Sequence, residues 1–269
     1  MAETTVFNPN ELVLEKVRSV EEYDPDTREL TGRYTQIEDP SLQTSADGTD
    51  VTDAMGAVIT TFYNAQAGTF GFSNSLFSLD LAASQFGSKK VVADADNKIT
   101  VPVSETLTIG ADHTVTLKYK PVGVQGSEIK YVKVINADNT FGKTYEVNAV
   151  AGAGKFTLNA ENKKITMPED VTGKIFVNYE RESEKAAMVT KRTDGVPQMK
   201  SLVVNCLFHP VCSLNTTIAG VISIPRAQVD PSSVEINLTP DGKHAVSYLL
   251  KKDYCDDECK LFDIIVTQD

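Results

Sequence analysis

The chain has 269 residues, 41% of them hydrophobic, and a formal net charge of −11 from 26 basic and 37 acidic residues. That hydrophobic share supports a packed core and argues against wholesale disorder, and the length allows one large domain or two ordinary ones. The acidic balance disfavours binding to nucleic acid, tryptophan is absent, and no apolar run reaches the roughly eighteen residues of a membrane span.

Abundant valine, isoleucine and threonine, with few helix-period segments, predict a mainly β protein. The start "MAETTVFNPNE" has neither the basic residues nor the apolar stretch of a secretory signal. Synthesis in a cytosol is therefore expected, where the four cysteines need not pair. "ELVLEKVRSVEEY" fits a helix face through Val13, Val17 and Val20, and fits a strand as well. The turn formers "DPDT", residues 24–27, favour the strand, with residues 30–37 returning antiparallel until Pro40 ends the ladder. "TSADGTDVTDAMG", residues 44–56, is polar and rich in turn formers and reads as a long exposed loop.

Residues 58–63 read as a strand and 69–73 as its hairpin partner, with Phe70 and Phe72 on one side and Gly71 on the other. A helix is expected over about 74–86, capped by Ser73 or Asn74. Leu76, Leu79, Ala83 and Phe86 would form its core stripe, Ser75, Ser78 and Gln85 its wetter side, and Gly87 its left-handed end.

From residue 91 the character changes. "ADNKITVP" is echoed by "ENKKITMP" further on, and each is followed by strand-like text. This suggests two similar β arms or one small sandwich. Beyond 185 the text is denser in apolar residues. Strands are expected at 201–208, 217–225 and 260–268. A hairpin over 233–250 would place Val234, Ile236 and Leu238 on one face and turn at Pro240, Asp241 and Gly242. Residues 91–185 thus read as a β domain inserted between two halves, 1–90 and 186–269, of another. A C-terminal half with few strands and no helix is thin for independent stability.

No catalytic signature occurs, and no enzyme activity is expected. The three histidines, His113, His209 and His244, fall in different parts of the layout. Cys206, His209, Cys212, Cys255 and Cys259 form the one metal-like cluster, but their spacing is unlike that of zinc fingers. Reduced thiols are the default, with a disulfide or zinc as alternatives, and Cys206 fits a small buried hydrophobe. No cofactor is expected. His244 beside the turn reads as a solvated hairpin residue, and Tyr34 and Tyr63 as sheet aromatics with wet hydroxyls.

"LTGRYTQIEDPSLQTSADG", "DVTDAMGAVITTFYNAQAGTFGFSNSLFSLDLAASQFG" and "GVISIPRAQVDPSSVEINLTPDGKHAVSYLLKKDYC" together resemble virion structural proteins of tailed bacteriophages, and most of all tail tube proteins. The likeness covers residues 10–90 and 200–269. It implies a β-sandwich flanked by a helix, rings of six copies, and stacked rings enclosing a conduit for DNA ejection. It also implies a virion (tail) location after assembly in the bacterial host cytoplasm. The implied partners are sister copies and other tail proteins such as sheath, tape measure and terminators, while DNA passes without specific binding. The insertion departs from a minimal tube domain and is expected to be immunoglobulin-like.

Elementary physics is compatible with this reading. A tube needs open sheet edges, a segment that orders against a neighbour, and a wall that does not trap phosphate. The residues expected to carry assembly are Asp47, Asp50, Val51, Asp53 and Met55 of the loop, and Ile59, Thr61, Tyr63, Phe70 and Phe72 after it. Other readings are a capsid decoration or baseplate protein, or glycan recognition by Tyr119, Tyr131, Tyr145 and Tyr179 of the insertion. Core packing explains those tyrosines more simply.

Overall fold

The computed structural model describes residues 8–211, 215–232, 234–240, 242–253 and 259–267. The first strands are β1 (Leu12–Tyr23), β2 (Leu30–Tyr34), β3 (Ile37–Ser45), β4 (Gly48–Thr52), β5 (Val58–Tyr63) and β6 (Ala67–Asn74), followed by the helix α1 (Leu79–Phe86). Next come β7 (Val91–Val92), β8 (Ile99–Thr108), β9 (Thr114–Thr116), β10 (Tyr131–Ile135) and β11 (Phe141–Val147). They are followed by β12 (Lys155–Asn159), β13 (Lys164–Thr166), β14 (Lys174–Ser183) and β15 (Ala187–Met188). The chain closes with β16 (Met199–Pro210), β17 (Ile218–Val229), β18 (His244–Leu250) and β19 (Asp263–Thr267). Among the described residues the protein is mainly β, with one short helix and several sheets, one of them nearly closed and barrel-like.

Two compact units result: Met1–Lys90 with Val189–Asp269, and Val91–Met188. In the first, one sheet runs β2-β1-β16-β17-β18-β6-β3, and β19 also pairs with β17. The turn after β1 forms as its residues dictate: Asp24 Oδ1 accepts from the amides of Asp26 and Thr27 at 3.0 and 2.9 Å. Val20, Leu202, Val204, Cys206, Ile224 and Tyr248 pack in this unit's core with Phe70 and Phe72.

Several local expectations are corrected. Pro40 lies inside β3, at a bulge between Glu38 and Ser41. β3 is the outer strand of the sheet, where a missing N–H and a bulge are tolerated. Residues 44–56 are not a loop throughout, because β4 within them pairs with β5. β6 instead pairs with β3 and β18, since its alternating Phe70 and Phe72 need a core that β5 does not offer.

The helix begins at Leu79, with Ser78 as N-cap accepting from Leu81 N. Neither Ser73 nor Asn74 caps it, because both belong to β6. Leu76 is exposed and precedes the helix, while Gln85 is buried with Leu81, Ala82 and Ala83. Gly87 takes the left-handed conformation, φ 65°, and a Cβ there would sit 2.2 Å from Val196 O.

β17 continues past Pro225 to Val229. Residues 234–238 form no strand, and Leu238 is exposed, so β18 finds its partners in β6 and β17. Gly242 N donates to Thr239 O at 2.9 Å, and Asp241 lies outside the described residues.

In the second unit one sheet runs β8-β14-β10-β11-β12-β13-β9, with β11 and β12 parallel. Its ends approach each other, and Lys118 N, just past β9, donates to Glu105 of β8 at 3.2 Å. The two echoed segments differ in role: one leads into the long outer strand β8 and the other into the short β13. Tyr145 and Tyr179 are buried in a core with Phe156, Ile165 and Ile175, and Tyr119 packs against it. Tyr131 is exposed. No helix among the described residues is long and apolar enough to cross a membrane.

Candidate assembly surface

β4 and β5 form a two-stranded sheet of their own. Its acidic residues build its shape. Asp53 Oδ1 accepts from the amides of Met55 and Ala57 at 2.8 and 2.9 Å, closing the tip. Asp50 Oδ1 accepts from Thr61 Oγ1 across the pair at 2.6 Å. At the base Asn64 N donates to Asp47 O at 2.8 Å. Gly48 leaves room for Thr61 and Tyr63, because a Cβ there would lie 2.7 Å from Thr61 Cγ2 and 3.3 Å from the Tyr63 ring.

This ribbon carries Val51, Met55, Val58, Ile59, Phe62 and Tyr63 exposed, with Tyr63 at 73%. A two-stranded ribbon is marginal alone in water, and an exposed apolar cluster of this kind is a candidate contact surface. The structure brings together Asp47, Asp50, Val51, Asp53, Met55, Ile59, Thr61 and Tyr63. It separates Phe70 and Phe72, whose rings are buried against Tyr248 and Tyr34, so their side chains present nothing to a partner.

β2 covers only Val20–Tyr23 of β1, so among the described residues no strand pairs with the outer edge of Leu12–Ser19. At the far side β19 covers Ala219–Ser223 of β17 and has no further neighbour among the described residues. β1, β16, β17 and β19 therefore form a four-stranded section open at both edges. Val13 and Leu14 on one edge strand, and Ile264 and Ile265 on the other, are exposed. The adjacent apolar pair at Ile264 and Ile265 was the available sequence signal, since side chains alternating across a strand put one on each face. On the face opposite the core, the two central strands of this section carry Val203, Asn205, Leu207, Ala219, Val221 and Ser223, none of them charged.

Behind the section lies a buried polar cluster. The Tyr248 hydroxyl donates to Glu22, and Tyr34 lies buried nearby rather than presenting a wet hydroxyl. Burial raises the Glu22 carboxyl above its ordinary range, against the lowering effect of the Tyr248 bond. It likewise pushes the Tyr248 hydroxyl well up. His244 is not solvated: it is 3% exposed, and its Nε2 bonds Gln85.

The metal-like cluster is not assembled. Cys206 is in the core, and its thiol is pushed up by burial. His209, three residues along the same strand, projects from the opposite face. Its Nδ1 lies 3.0 Å from Thr216 O and its Nε2 2.7 Å from Glu15 Oε2. Cys259 is exposed, and Cys212 and Cys255 lie outside the described residues. Among the described residues no group of three or more His, Cys, Asp or Glu side chains is placed to hold a metal ion. A scan of protein-family models finds none that matches the chain, and a search of curated proteins finds no match.

Proposed function

We propose that this protein is a self-assembling structural subunit of a phage tail tube, forming stacked hexameric rings around a conduit for DNA. The observation that carries this reading is the four-stranded section with an open edge on each side. Its strands alternate in direction, so β1 and β19 run antiparallel to each other. β19 of one copy beside β1 of the next therefore continues the antiparallel sheet without interruption. Such a contact is head-to-tail, and it closes into a ring when the rotation per copy fits.

The number six and the conduit come from the likeness of the sequence to tube proteins. The exposed β4–β5 ribbon supplies a second contact, suited to a neighbouring ring. Residues 203–207 and 219–223 of the section's central strands offer DNA no cation to hold its phosphates, which suits passage without binding. Negative-stain imaging of concentrated pure protein tests the reading. Rings and tubes support it, whereas monomers or trimers favour a capsid decoration role.

A further inference from the structure

Along Leu12–Ser19 the strand β1 is paired on one side only, to β16, and that ladder is interrupted twice. Its register shifts between Leu14 and Lys16 and again between Val17 and Ser19, which leaves Glu15 and Arg18 as the bulged residues. A bulge takes a residue out of the ladder and re-aims its side chain. This open edge is therefore weakly secured by backbone pairing, and the Glu15 side chain supplies a further tie.

The tie runs to His209 of β16, the register partner of Val13. His209 Nε2 lies 2.7 Å from Glu15 Oε2, and Nδ1 lies 3.0 Å from Thr216 O, in the connection to β17. Carboxylate and carbonyl oxygens only accept. A neutral imidazole carries a single N–H, so either tautomer would turn a lone pair towards one of these oxygens. The doubly protonated ring donates to both. Glu15 is held below its ordinary carboxyl value by the His209 bond first and by Lys16 next, so an anion faces the ring. The histidine side chain is 18% exposed, which shelters the pair from full screening.

The charged neighbours on the β1 side are Glu15, Lys16 and Arg18, with Glu11 just before the strand. Lys16 Nζ meets Glu15 Oε1 at 3.1 Å, and Glu11 Oε2 accepts from Asn8 Nδ2 at 3.2 Å. On the other side β17 brings Ile218 and Ala219, neither charged, against Phe208 and Leu207.

We infer that His209 is an imidazolium clasp that holds the open edge of β1 in pairing shape, so that edge-to-edge association is released when the ring loses its proton. The release rests on the assembly reading, whereas the clasp belongs to the single subunit. A proton held more tightly in the fold than in the open chain makes the clasp complete below about pH 6.5. It is lost as pH rises through the folded ring's own midpoint.

Nitrogen-15 NMR of the full chain carrying Ile264→Lys and Ile265→Lys tests the clasp without association. Both His209 ring nitrogens are expected to be protonated at pH 7, with a titration midpoint above about 6.5. Glu15→Gln is expected to lower that midpoint by about half a unit, the effect of losing a partly exposed ion pair. At pH 6, His209→Gln is expected to reduce hydrogen-exchange protection of the amides of residues 13–19 about tenfold, and His209→Arg to retain it. A neutral ring at pH 7, a midpoint indifferent to Glu15→Gln, or equal protection in His209→Gln would each overturn the clasp. In the parent chain, sedimentation velocity is expected to show polymers dissociating as pH rises through the same midpoint, and His209→Arg polymers persisting. Parent polymers unchanged across that midpoint would overturn the release, while a parent chain that is monomeric at every pH would contradict the assembly reading and the release with it, but not the clasp.

Discussion

The ring Nε2 of His244, on β18, lies 2.7 Å from Oε1 of Gln85, on α1. The same amide donates through Nε2 to Ala245 O at 2.7 Å, so one side chain pins the only helix among the described residues to the sheet. Phe77 stacks on the histidine ring at 5.3 Å. Gln85→Ala strips a partner from two buried groups at once. It is expected to destabilise the first unit by about 2 kcal/mol, seen as a urea midpoint lower by about 1 M.

The same pair makes stability depend on pH. Gln85 donates through Nε2, so its Oε1 must accept from His244 Nε2–H, and Nδ1 stays buried without a partner. Burial holds the His244 ring below its ordinary value. A depressed folded value means the unfolded chain takes the proton first, from about pH 6.5 downward. Stability should therefore fall as pH drops below that point. His244→Gln is expected to reduce the fall, measured as the unfolding midpoint between pH 7 and pH 5.

Glu22 has the opposite sign. Its folded carboxyl keeps its proton above the unfolded value of about 4.3, so its contribution is largest in acid. That contribution is lost as pH rises from the unfolded value towards the raised folded one. Glu22→Gln keeps an acceptor for Tyr248 without a titrating group. The variant is expected to gain stability relative to the parent chain on going from pH 4 to pH 8, by thermal melting at both values. A difference that stays constant with pH would contradict this.

The ribbon offers a separation of stability from association. Phe62 and Tyr63 are exposed in the single subunit, so changing both to serine should move its melting temperature little. Polymer formation should weaken, because the apolar cover between neighbours is gone. Light scattering against concentration reads that effect.

How much of this was legible in the sequence depends on whether the partner is local. Strand β1, its turn at Asp24 and the helix end at Gly87 follow from residues a few positions apart. So does the inward face of Phe70 and Phe72, although their burial also removes them from any contact surface. The pairing of β6 was misread because its partners are β3 and β18, the latter far along the chain. Gln85 looked solvent-facing because its bonds go to Ala245 and His244, with no nearby signal. His244 reads as solvated for the same reason, since the local pattern over residues 233–250 is that of a hairpin. The open edges of β1 and β19 depend on where neighbouring strands stop, which no local pattern records.

Sedimentation velocity of the purified chain tests the central claim most directly, comparing it with the double substitution Ile264→Lys and Ile265→Lys on the open strand β19. Charged side chains on an edge strand oppose pairing with another copy. The account predicts closed rings or longer polymers for the parent chain and a shift to monomer for the variant. A parent chain that stays monomeric at high concentration, or a variant that assembles as well as the parent, would contradict it.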